Sequence, residues 1–332
     1  MILQNKQCKR CLLTEHKPDI WLDNDGICNI CINFDKEKKI SASGEKKPLL
    51  ESDLIKILKK YQGKGKYDCL VMCSGGKDST MALYYMKERY KMNPLAFTFD
   101  NGFESNEAIS NIKNAVDILK VDWVYHKTDF MNDAFALIIK TKSKVPICHI
   151  CTIWHIQLVY EFAAKYKIPL IIAGWTKGQS TQGKESGTEY AEMSKATYDF
   201  INNILRKISK YKKIPRSVNE ALKTSRKKFK SVMISPHWYL EWEQEKNIKI
   251  LNDKLKWKVP ELSYPFGSTN CMMNFPSTYL TMKHYGYTHY HIEMSKQIRL
   301  GETTKEQSLK DLEINFDKKI VNDVLKKIEC EI

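Results

Sequence analysis

The sequence predicts an α/β protein in which a parallel β-sheet carries helices on both faces. A small cysteine-bearing module precedes this sheet, and a helical region follows it. Four short apolar segments alternate with helix-length segments between residues 67 and 180, and a glycine-rich loop joins the first strand to its helix. Such alternation is typical of parallel sheets, because each crossover between parallel strands needs a connection about as long as a helix.

The first predicted element is a metal module over residues 1–35. It contains two cysteine pairs, Cys8-x2-Cys11 and Cys28-x2-Cys31, separated by sixteen residues. Paired thiolates at this spacing are typical of a closed tetrahedral zinc site, which leaves no open coordination position. We therefore expect a zinc-ribbon-like module in which Zn²⁺ holds together a segment with little core of its own. Four unrelated buried thiols are the alternative, and disulfides are not expected.

Residues 36–66 are rich in lysine, serine and glycine, which predicts a linker with one short helix, Leu49–Tyr61. The α/β domain is predicted over residues 67–180. Residues 181–332 are predicted to be a mostly helical acceptor-binding and carboxy-terminal region, with no obvious strand from Thr181 to Glu261. The predicted strands are Asp68–Met72, Leu95–Asp100, Trp123–His126 and Pro169–Ala173, and the predicted helices are Thr80–Lys91, Asn106–Leu119, Phe130–Lys140 and Cys151–Tyr166.

Three polar segments follow predicted strands: Ser74–Ser79, Asp100–Phe103 and Gly174–Gln179. Ligands of open parallel sheets bind at this edge. The first segment reads Ser-Gly-Gly-Lys-Asp-Ser and lies between a strand and a helix. Its glycines allow backbone N–H groups to converge on an anion, and the start of the helix adds its positive dipole end. This predicts a phosphate cradle without the Walker A spacing; the alternative is an ordinary strand-to-helix turn.

The loop resembles the PP-loop of the ATP pyrophosphatase superfamily. The matching residues are Ser74, Gly75, Gly76, Lys77, Asp78 and Ser79. The resemblance implies that ATP binds with Mg²⁺, that AMP is transferred to a carbonyl oxygen and that pyrophosphate is released. It implies catalytic roles for Lys77 and Asp78. The candidate nucleotide-binding residues are the six of the loop together with Thr80, Phe99, Asp100, Gly174 and Lys177.

Two of these candidates keep open alternatives. Asp100 can bind ribose or magnesium, or it can cap the turn after the second strand. Lys177 can contact a phosphate or a carbonyl oxygen, or it can be a plain surface lysine.

Both ends of the chain are similar to the N-acetyl sugar amidotransferases, PP-loop enzymes of bacterial surface-glycan (lipopolysaccharide-type) biosynthesis. The similar segments are Gln7-Cys8-Lys9-Arg10-Cys11, Lys17-Pro18-Asp19-Ile20, Asp23-x-Asp25-Gly26-Ile27-Cys28-Asn29-x-Cys31 and Ser295-x-x-Ile298-Arg299-x-Gly301-Glu302, followed by Thr303-Thr304-Lys305-Glu306. The resemblance implies nitrogen transfer from ammonia to an adenylated acetamido sugar. No glutaminase segment is found in the chain, so a separate ammonia-supplying subunit is expected.

A second cysteine set departs from that family. Cys148 and Cys151 stand three residues apart at a predicted helix start, so they share a face, and Cys271 lies far downstream. Three thiolates can hold a [4Fe–4S] cluster and leave one iron open. This layout is similar to a group of tRNA thiolation enzymes, which implies sulfur transfer and a catalytic role for the three cysteines. Buried packing of small thiols is the alternative.

The composition narrows the partners. The formal net charge is +15, and eleven of the twenty-five residues from Arg206 to Lys230 are Lys or Arg, with Glu220 as the one acid. Such a surface suits RNA, nucleotide-sugars and ATP, although a solvated helical face is the alternative. A mean hydropathy of −0.47, without a long apolar run or an apolar leader, predicts a cytoplasmic chain with no membrane span. A homo-oligomer is expected.

The sequence therefore predicts an ATP-dependent adenylating transferase, with nitrogen transfer to an N-acetyl or nucleotide-sugar acceptor placed ahead of iron–sulfur-dependent sulfur transfer to tRNA or a small molecule. A zinc-bearing RNA-binding module with a degenerate ATP site is an alternative of another class. The aromatic residues Trp238, Tyr239, Trp242 and Trp257 are expected in the core or stacked on a base or sugar.

Overall fold

The fold is built on one parallel sheet. The computed structural model describes residues 6–40, 49–179, 191–268 and 271–332. Its strands are β1 Cys69–Met72, β2 Pro94–Asp100, β3 Asp122–Lys127, β4 Leu170–Ile172 and β5 Val232–Ile234. Its helices are α1 Asn29–Ile40, α2 Glu51–Tyr61, α3 Lys77–Tyr84, α4 Asn106–Leu119, α5 Asn132–Lys140, α6 Ile147–Lys165, α7 Ala191–Asn203, α8 Val218–Phe229, α9 Gln244–Leu255, α10 Asn274–Tyr285, α11 His289–Leu300, α12 Lys305–Asp311 and α13 Lys318–Leu325.

The five strands lie in the order β3-β2-β1-β4-β5, and every neighbouring pair is parallel. Val71 at the centre of the sheet pairs with Ala96 of β2 and with Ile172 of β4. From β1 the chain first builds β2 and β3 on one side, and it then crosses to build β4 and β5 on the other. The strand order therefore reverses between β1 and β4, which is the position where open α/β sheets bind their ligands.

Both faces of the sheet are covered, as predicted. Side chains of successive strand residues point to opposite faces, so Leu70 and Met72 join one core, which also contains residues of α5, α6 and α13. Cys69 and Val71 join a second core with residues of α2, α3 and α9. All four residues of β1 are buried, which explains why this strand reads as a continuous apolar run rather than as an alternating one.

The structure corrects two predictions of secondary structure. The segment Thr181–Glu261 was predicted to have no strand, yet β5 forms within it, so the sheet extends beyond residue 180. β5 has only three residues and follows a lysine-rich helix, which leaves too little alternation to indicate a strand. The predicted helix Cys151–Tyr166 instead begins at Ile147, directly after Pro146. Cys148 and Cys151 consequently both lie in the first turns of α6.

The described carboxy-terminal part, residues 271–332, is helical as predicted. The amino-terminal segment packs on it: Leu13 and Ile20 share a small core with Tyr285, Tyr287 and Ile292. α1 begins within the predicted metal module and continues past residue 35.

The predicted linker and the predicted start of the helical region fall partly on residues 41–48 and 180–190, which lie outside the described residues. No described helix combines the length and the apolarity needed to cross a bilayer.

Candidate functional site

The loop after β1 has its carbonyl groups held and its N–H groups available. Gly75 has φ +79°, and a Cβ there would lie 2.3 Å from the Ala108 carbonyl oxygen, so only glycine fits. The Gly75 carbonyl accepts from Trp257 Nε1 at 2.8 Å, and the Gly76 carbonyl accepts from Thr80 Oγ1 at 2.8 Å. Among the described residues, the backbone N–H groups of residues 75–79 have no acceptor. Free N–H groups at a helix start are the local structure that binds anions.

The side chains of the loop form a compact polar group. Ser74 Oγ and Ser79 Oγ lie 3.0 Å apart, and Lys77 Nζ donates to Ser268 Oγ at 2.6 Å and to Asp78 Oδ2 at 3.2 Å. Lys77 is only 6% exposed, so its charge is directed into the molecule rather than into bulk solvent. The other oxygen of Asp78, Oδ1, is buried without a partner among the described residues. A buried carboxylate oxygen without a donor is suited to a ligand or a cation.

The end of β4 closes on the start of α3. A Cβ at Gly174 would lie 2.6 Å from both the N and Cα atoms of Ser79, so a side chain there would displace the loop. This close approach brings together the two strand ends on either side of the point where the strand order reverses. Gly174 is therefore a position where the packing of the loop requires glycine.

One cavity of about 750 Å³ lies over this edge of the sheet. The predicted site residues that line it are Ser74, Gly76, Lys77, Asp78, Ser79, Phe99, Cys148, Cys151, Gly174 and Cys271. The predicted nucleotide-binding residues that do not line it are Gly75, Thr80, Asp100 and Lys177. Gly75 and Thr80 support the loop from behind through the contacts described above.

Asp100 and Lys177 are occupied by contacts within the protein. Asp100 Oδ1 accepts from the backbone N–H of Gly102 at 2.7 Å, and its Oδ2 accepts from the Tyr125 hydroxyl. The carboxylate thus caps the turn after β2. Lys177 Nζ forms an ion pair with Glu302 Oε1 at 2.6 Å, and Glu302 rather than Lys177 lines the cavity.

Aromatic rings line one wall of the cavity and surround its loop. Phe99 stacks on His155 with ring centroids 5.1 Å apart, and both residues line the cavity. Of the four aromatic residues that the sequence left open between core and stacking, Trp238, Tyr239 and Trp257 are buried, and Trp242 lines the cavity.

The second cysteine set lies in the same cavity as the loop. Cys148 and Cys151 come from α6, whereas Cys271 precedes α10 and is drawn in by a bridge between its backbone and that of Glu104. The amide Nδ2 of Asn101, which follows β2, donates to Cys151 Sγ at 3.3 Å and to Cys271 Sγ at 3.5 Å. Burial raises the pKa of Cys151 to about 12 and that of Cys271 well above its usual range. Thr269 and Asn270, beside Cys271, lie outside the described residues.

Glu293 is a cavity residue that sequence reasoning missed. It lies on α11, is 8% exposed, and its Oε1 accepts from Thr176 Oγ1 at 2.7 Å and from Gln297 Nε2 at 3.2 Å. Burial raises the pKa of Glu293 to about 7. The sequence offered one weak signal, the closeness of Glu293 to the amidotransferase-like segment that begins at residue 295. Asn101 was missed because it stood beside the more conspicuous Asp100.

The amino-terminal cysteines form a separate cluster. Cys8, Cys11, Cys28 and Cys31 are fully buried, and their sulfur atoms lie within 4.8 Å of one another. Cys28 N–H donates to Cys8 Sγ at 3.3 Å, and Cys31 N–H donates to Cys28 Sγ at 3.4 Å. Four converging sulfurs that also accept backbone N–H groups fit a tetrahedral metal site. None of the ten cysteines forms a disulfide in the structure.

The amino-terminal cysteine cluster and the carboxy-terminal amidotransferase-like segment are in contact. Leu12 N–H donates to Ser295 Oγ at 3.1 Å, and Lys305 Nζ donates to the Cys8 carbonyl at 2.7 Å. The two ends of the chain that resemble the amidotransferases therefore form one structural unit.

No family model matches the chain. The chain is 27% identical over 305 residues to the uncharacterized protein MJ1599 of Methanocaldococcus jannaschii, a match that covers 86% of this chain and 92% of that protein.

Three solved structures are similar to the chain. The first is the U34-tRNA thiolase NcsA from Methanococcus maripaludis with its [4Fe-4S] cluster (TM-score 0.36, 16% identity, 94% of this chain and 92% of that chain). The second is a predicted subunit of tRNA methyltransferase from Methanocaldococcus jannaschii (0.37, 14%, 67% and 90%), and the third is the NH3-dependent NAD synthetase from Campylobacter jejuni (0.33, 14%, 64% and 96%).

Proposed function

We propose that this protein is an ATP-dependent adenylating transferase that replaces a carbonyl oxygen of its acceptor by sulfur. The observation that carries the proposal is that the PP-loop residues and three cysteines line one cavity. Sulfur transfer is thereby placed ahead of nitrogen transfer, which the sequence had favoured, because ammonia transfer gives the three thiols no role.

In the first step the acceptor's carbonyl oxygen bonds to the α-phosphorus of ATP, and the bond to pyrophosphate breaks. The free N–H groups of residues 75–79 and the Lys77 ammonium stabilise the negative charge that develops on the phosphates. Asp78, with its unpartnered buried oxygen, and Ser79 are the proposed contacts of Mg²⁺. Phe99 contacts the adenine region, and Gly174 allows the loop to approach the ligand.

In the second step a hydrosulfide sulfur bonds to the activated carbon, and the carbon–oxygen bond breaks, so that AMP leaves with the former carbonyl oxygen. The proton of the hydrosulfide is released, and the product carries C=S in place of C=O. No atom changes its oxidation state between hydrosulfide and thiocarbonyl, so this step needs no oxidant or reductant.

The donor set of the cavity fits a [4Fe–4S] cluster with one open iron. Cys148, Cys151 and Cys271 are three thiols that line the cavity, and the Asn101 amide donates to two of them. In the described part of the chain, the three cavity sulfurs lie less close together than the four amino-terminal sulfurs do. A looser arrangement suits sulfurs that bind different irons of one cluster rather than one ion. When bound, such a cluster would supply a coordination site for the incoming sulfur.

We assign the amino-terminal cluster to structural Zn²⁺. Its four sulfurs leave no position for substrate, and their complete burial excludes the solvent access that a catalytic site requires.

Nitrogen transfer to an N-acetyl or nucleotide-sugar acceptor is the second candidate. It is favoured by the contact between the two amidotransferase-like ends of the chain, at Cys8 and Lys305. This function would need ammonia from a separate subunit.

The decisive experiment is anaerobic purification with iron, labile sulfide and zinc quantified for the wild type, Cys148→Ala and Cys330→Ala. Cys330 is the matched control, because it is a buried thiol whose Sγ contacts the Ala136 carbonyl outside the cavity. We expect about four irons and one zinc per chain, with iron lost only in Cys148→Ala. Zinc without iron in the anaerobic wild type would overturn sulfur transfer and favour nitrogen transfer.

A further inference from the structure

A second cavity, of about 690 Å³, lies beside α8. Its polar wall is a stripe of four cations, Lys223, Arg226, Lys227 and Lys230, spaced three, four and seven residues from the first. This spacing places the first three on one face of α8, and Lys230, the cap residue after Phe229, follows directly at the end of the helix. None of them forms an ion pair with another described residue. Glu220, the one acid of the basic segment, is already paired with Arg216 at 3.0 Å.

Aromatic and apolar residues complete the lining of this second cavity, which we call the α8 groove. Tyr160 of α6, Met233 of β5, and Trp175 and Trp238 line it. Trp175 is partly exposed, and its ring centroid lies 6.4 Å from that of Trp238. Tyr160 and Trp238 are buried, so Trp175 is the ring of this groove on which a base can stack. A row of cations beside an accessible aromatic ring matches a nucleic-acid strand, in which phosphates alternate with bases.

The α8 groove adjoins the catalytic cavity. Trp175 lines both cavities, and the next residue, Thr176, hydrogen-bonds Glu293 inside the catalytic one. The Trp238 indole donates to the Thr176 carbonyl at 3.1 Å, and this hydrogen bond joins a residue of the α8 groove to a residue of the first cavity. A strand bound along α8 is therefore adjacent to the site of adenylation.

The length of the stripe decides between a polymer and a single nucleotide. From Lys223 to its last residue, Phe229, α8 rises by about 9 Å, at about 1.5 Å per residue, and Lys230 follows as its cap. One strand of a stacked nucleic acid carries a phosphate about every 3.4 Å along its axis, so the stripe spans several phosphates. A nucleotide-sugar would use only one end of it.

We propose that the α8 groove is an RNA-binding site that holds the phosphodiester backbone and presents the strand to the catalytic cavity at Trp175. The binding itself does not depend on the proposed function. The delivery of a base to the adenylation site does rest on it.

The test compares two triple variants of the full-length protein that remove equal charge. Lys223→Gln/Arg226→Gln/Lys227→Gln changes the stripe, and Lys59→Gln/Lys60→Gln/Lys64→Gln changes exposed lysines on and after α2. Glutamine keeps helix propensity in both variants. Fluorescence anisotropy with a labelled mixed-sequence RNA of about 16 nucleotides, without ATP, gives Kd from low to high salt. A trinucleotide and acidic phospholipid vesicles serve as further probes.

We expect the stripe variant to bind the RNA at least about tenfold more weakly and to lose about 2 from the slope of log K against log salt, at roughly 0.7 per phosphate contact. The control variant should stay within about twofold of the wild type. Equal losses in both variants would refute the site, as would a trinucleotide that binds as well as the long RNA. Vesicle binding that depends on the stripe, without RNA binding, would assign the groove to a membrane surface instead. Because no turnover is measured, failure here is distinct from a missing iron cluster.

Discussion

The two cysteine sets of this molecule share a residue type and differ in almost everything around it. The amino-terminal sulfurs are fully buried, lie within 4.8 Å of one another and accept backbone N–H groups. The cavity sulfurs are partly exposed and come from two distant parts of the chain, and two of them share the side-chain amide of Asn101. The first set has the closed geometry of a structural site, and the second lies where a ligand can reach it. The surroundings of a cysteine therefore indicate its role better than its spacing in the sequence does.

The largest expected effect follows from removing one thiol of the closed set. Cys11→Ser should abolish zinc binding and unfold the amino-terminal module. The binding of structural zinc, with an apparent free energy of about 10 kcal/mol, also stabilises the folded form of its site. Cys151→Ser should keep its zinc and unfold within a few degrees of the wild type. Zinc content by mass spectrometry and calorimetric unfolding separate the two variants. Full zinc occupancy in Cys11→Ser would show that the four amino-terminal cysteines do not form a closed zinc site.

A smaller effect distinguishes the cavity by its titration. Glu293 has a pKa raised to about 7 by burial, against an ordinary value of 4.5, with Lys77 and Asp78 as the charged groups that act on it. Its neutral form therefore stabilises the fold below pH 4.5, and this contribution is lost as the pH rises through 7. The difference amounts to about 3 kcal/mol. We expect Glu293→Gln, measured against the wild type by urea unfolding, to gain about that much relative stability between pH 4.5 and pH 8.

Two features of that experiment make its outcome clear. The contributions of the other titrating groups to the pH dependence of unfolding cancel, because both proteins carry these groups. Glu302→Gln is a matched control, since that carboxylate also lines the cavity but is ion-paired with Lys177. A constant difference between Glu293→Gln and the wild type across the pH range would show that Glu293 is ionised throughout.

A further prediction separates nucleotide binding from the cavity thiols. Lys77→Met removes a nearly buried ammonium whose Nζ lies 2.6 Å from Ser268 Oγ. Hydrogen bonds to charged groups contribute about 1.5–3 kcal/mol, so ATP affinity measured by titration calorimetry with Mg²⁺ should fall about 10- to 100-fold. Cys271→Ser should bind ATP like the wild type. Equal weakening in both variants would mean that Cys271 contributes to nucleotide binding as Lys77 does.

The sheet was predictable from the sequence, and its limits explain what was missed. β1 reads as an uninterrupted apolar run because both of its faces are buried, and α4 was predicted with its observed bounds because Ser105 caps it and the apolar face repeats regularly. β5 has three residues at the sheet edge and owes its existence to pairing with β4, a long-range contact that no local pattern carries. The early start of α6 depends on Pro146, which ends the preceding extended segment.

The candidate site was predictable where chemistry follows a local motif. The loop from Ser74 to Ser79 and the closed cysteine set each depend on short spacings. The meeting of Cys271 with Cys151 depends instead on folding across more than a hundred residues, and Glu293 reaches the cavity only because α11 packs beside the end of β4. One carboxylate oxygen of Asp100 accepts hydrogen bonds from backbone N–H groups of the turn. Its neighbour Asn101, rather than Asp100, therefore lines the cavity.

Asn101 gives the smallest and most specific effect. Its amide touches two of the three cavity sulfurs and no sulfur of the closed set. Groups that hydrogen-bond metal ligands typically change metal affinity 10- to 100-fold when they are removed, and Asn101→Ala should fall near the lower limit because all three thiols remain. Iron release to a chelator, followed under argon, should be about tenfold faster than in the wild type, while zinc release stays unchanged. Asn111→Ala, which removes a buried amide bonded to Gly75 and Lys258, is the control for a general loss of stability. Faster release of both metals from Asn101→Ala would show that the amide supports the fold as a whole, and the division between the two cysteine sets would then lose its clearest local test.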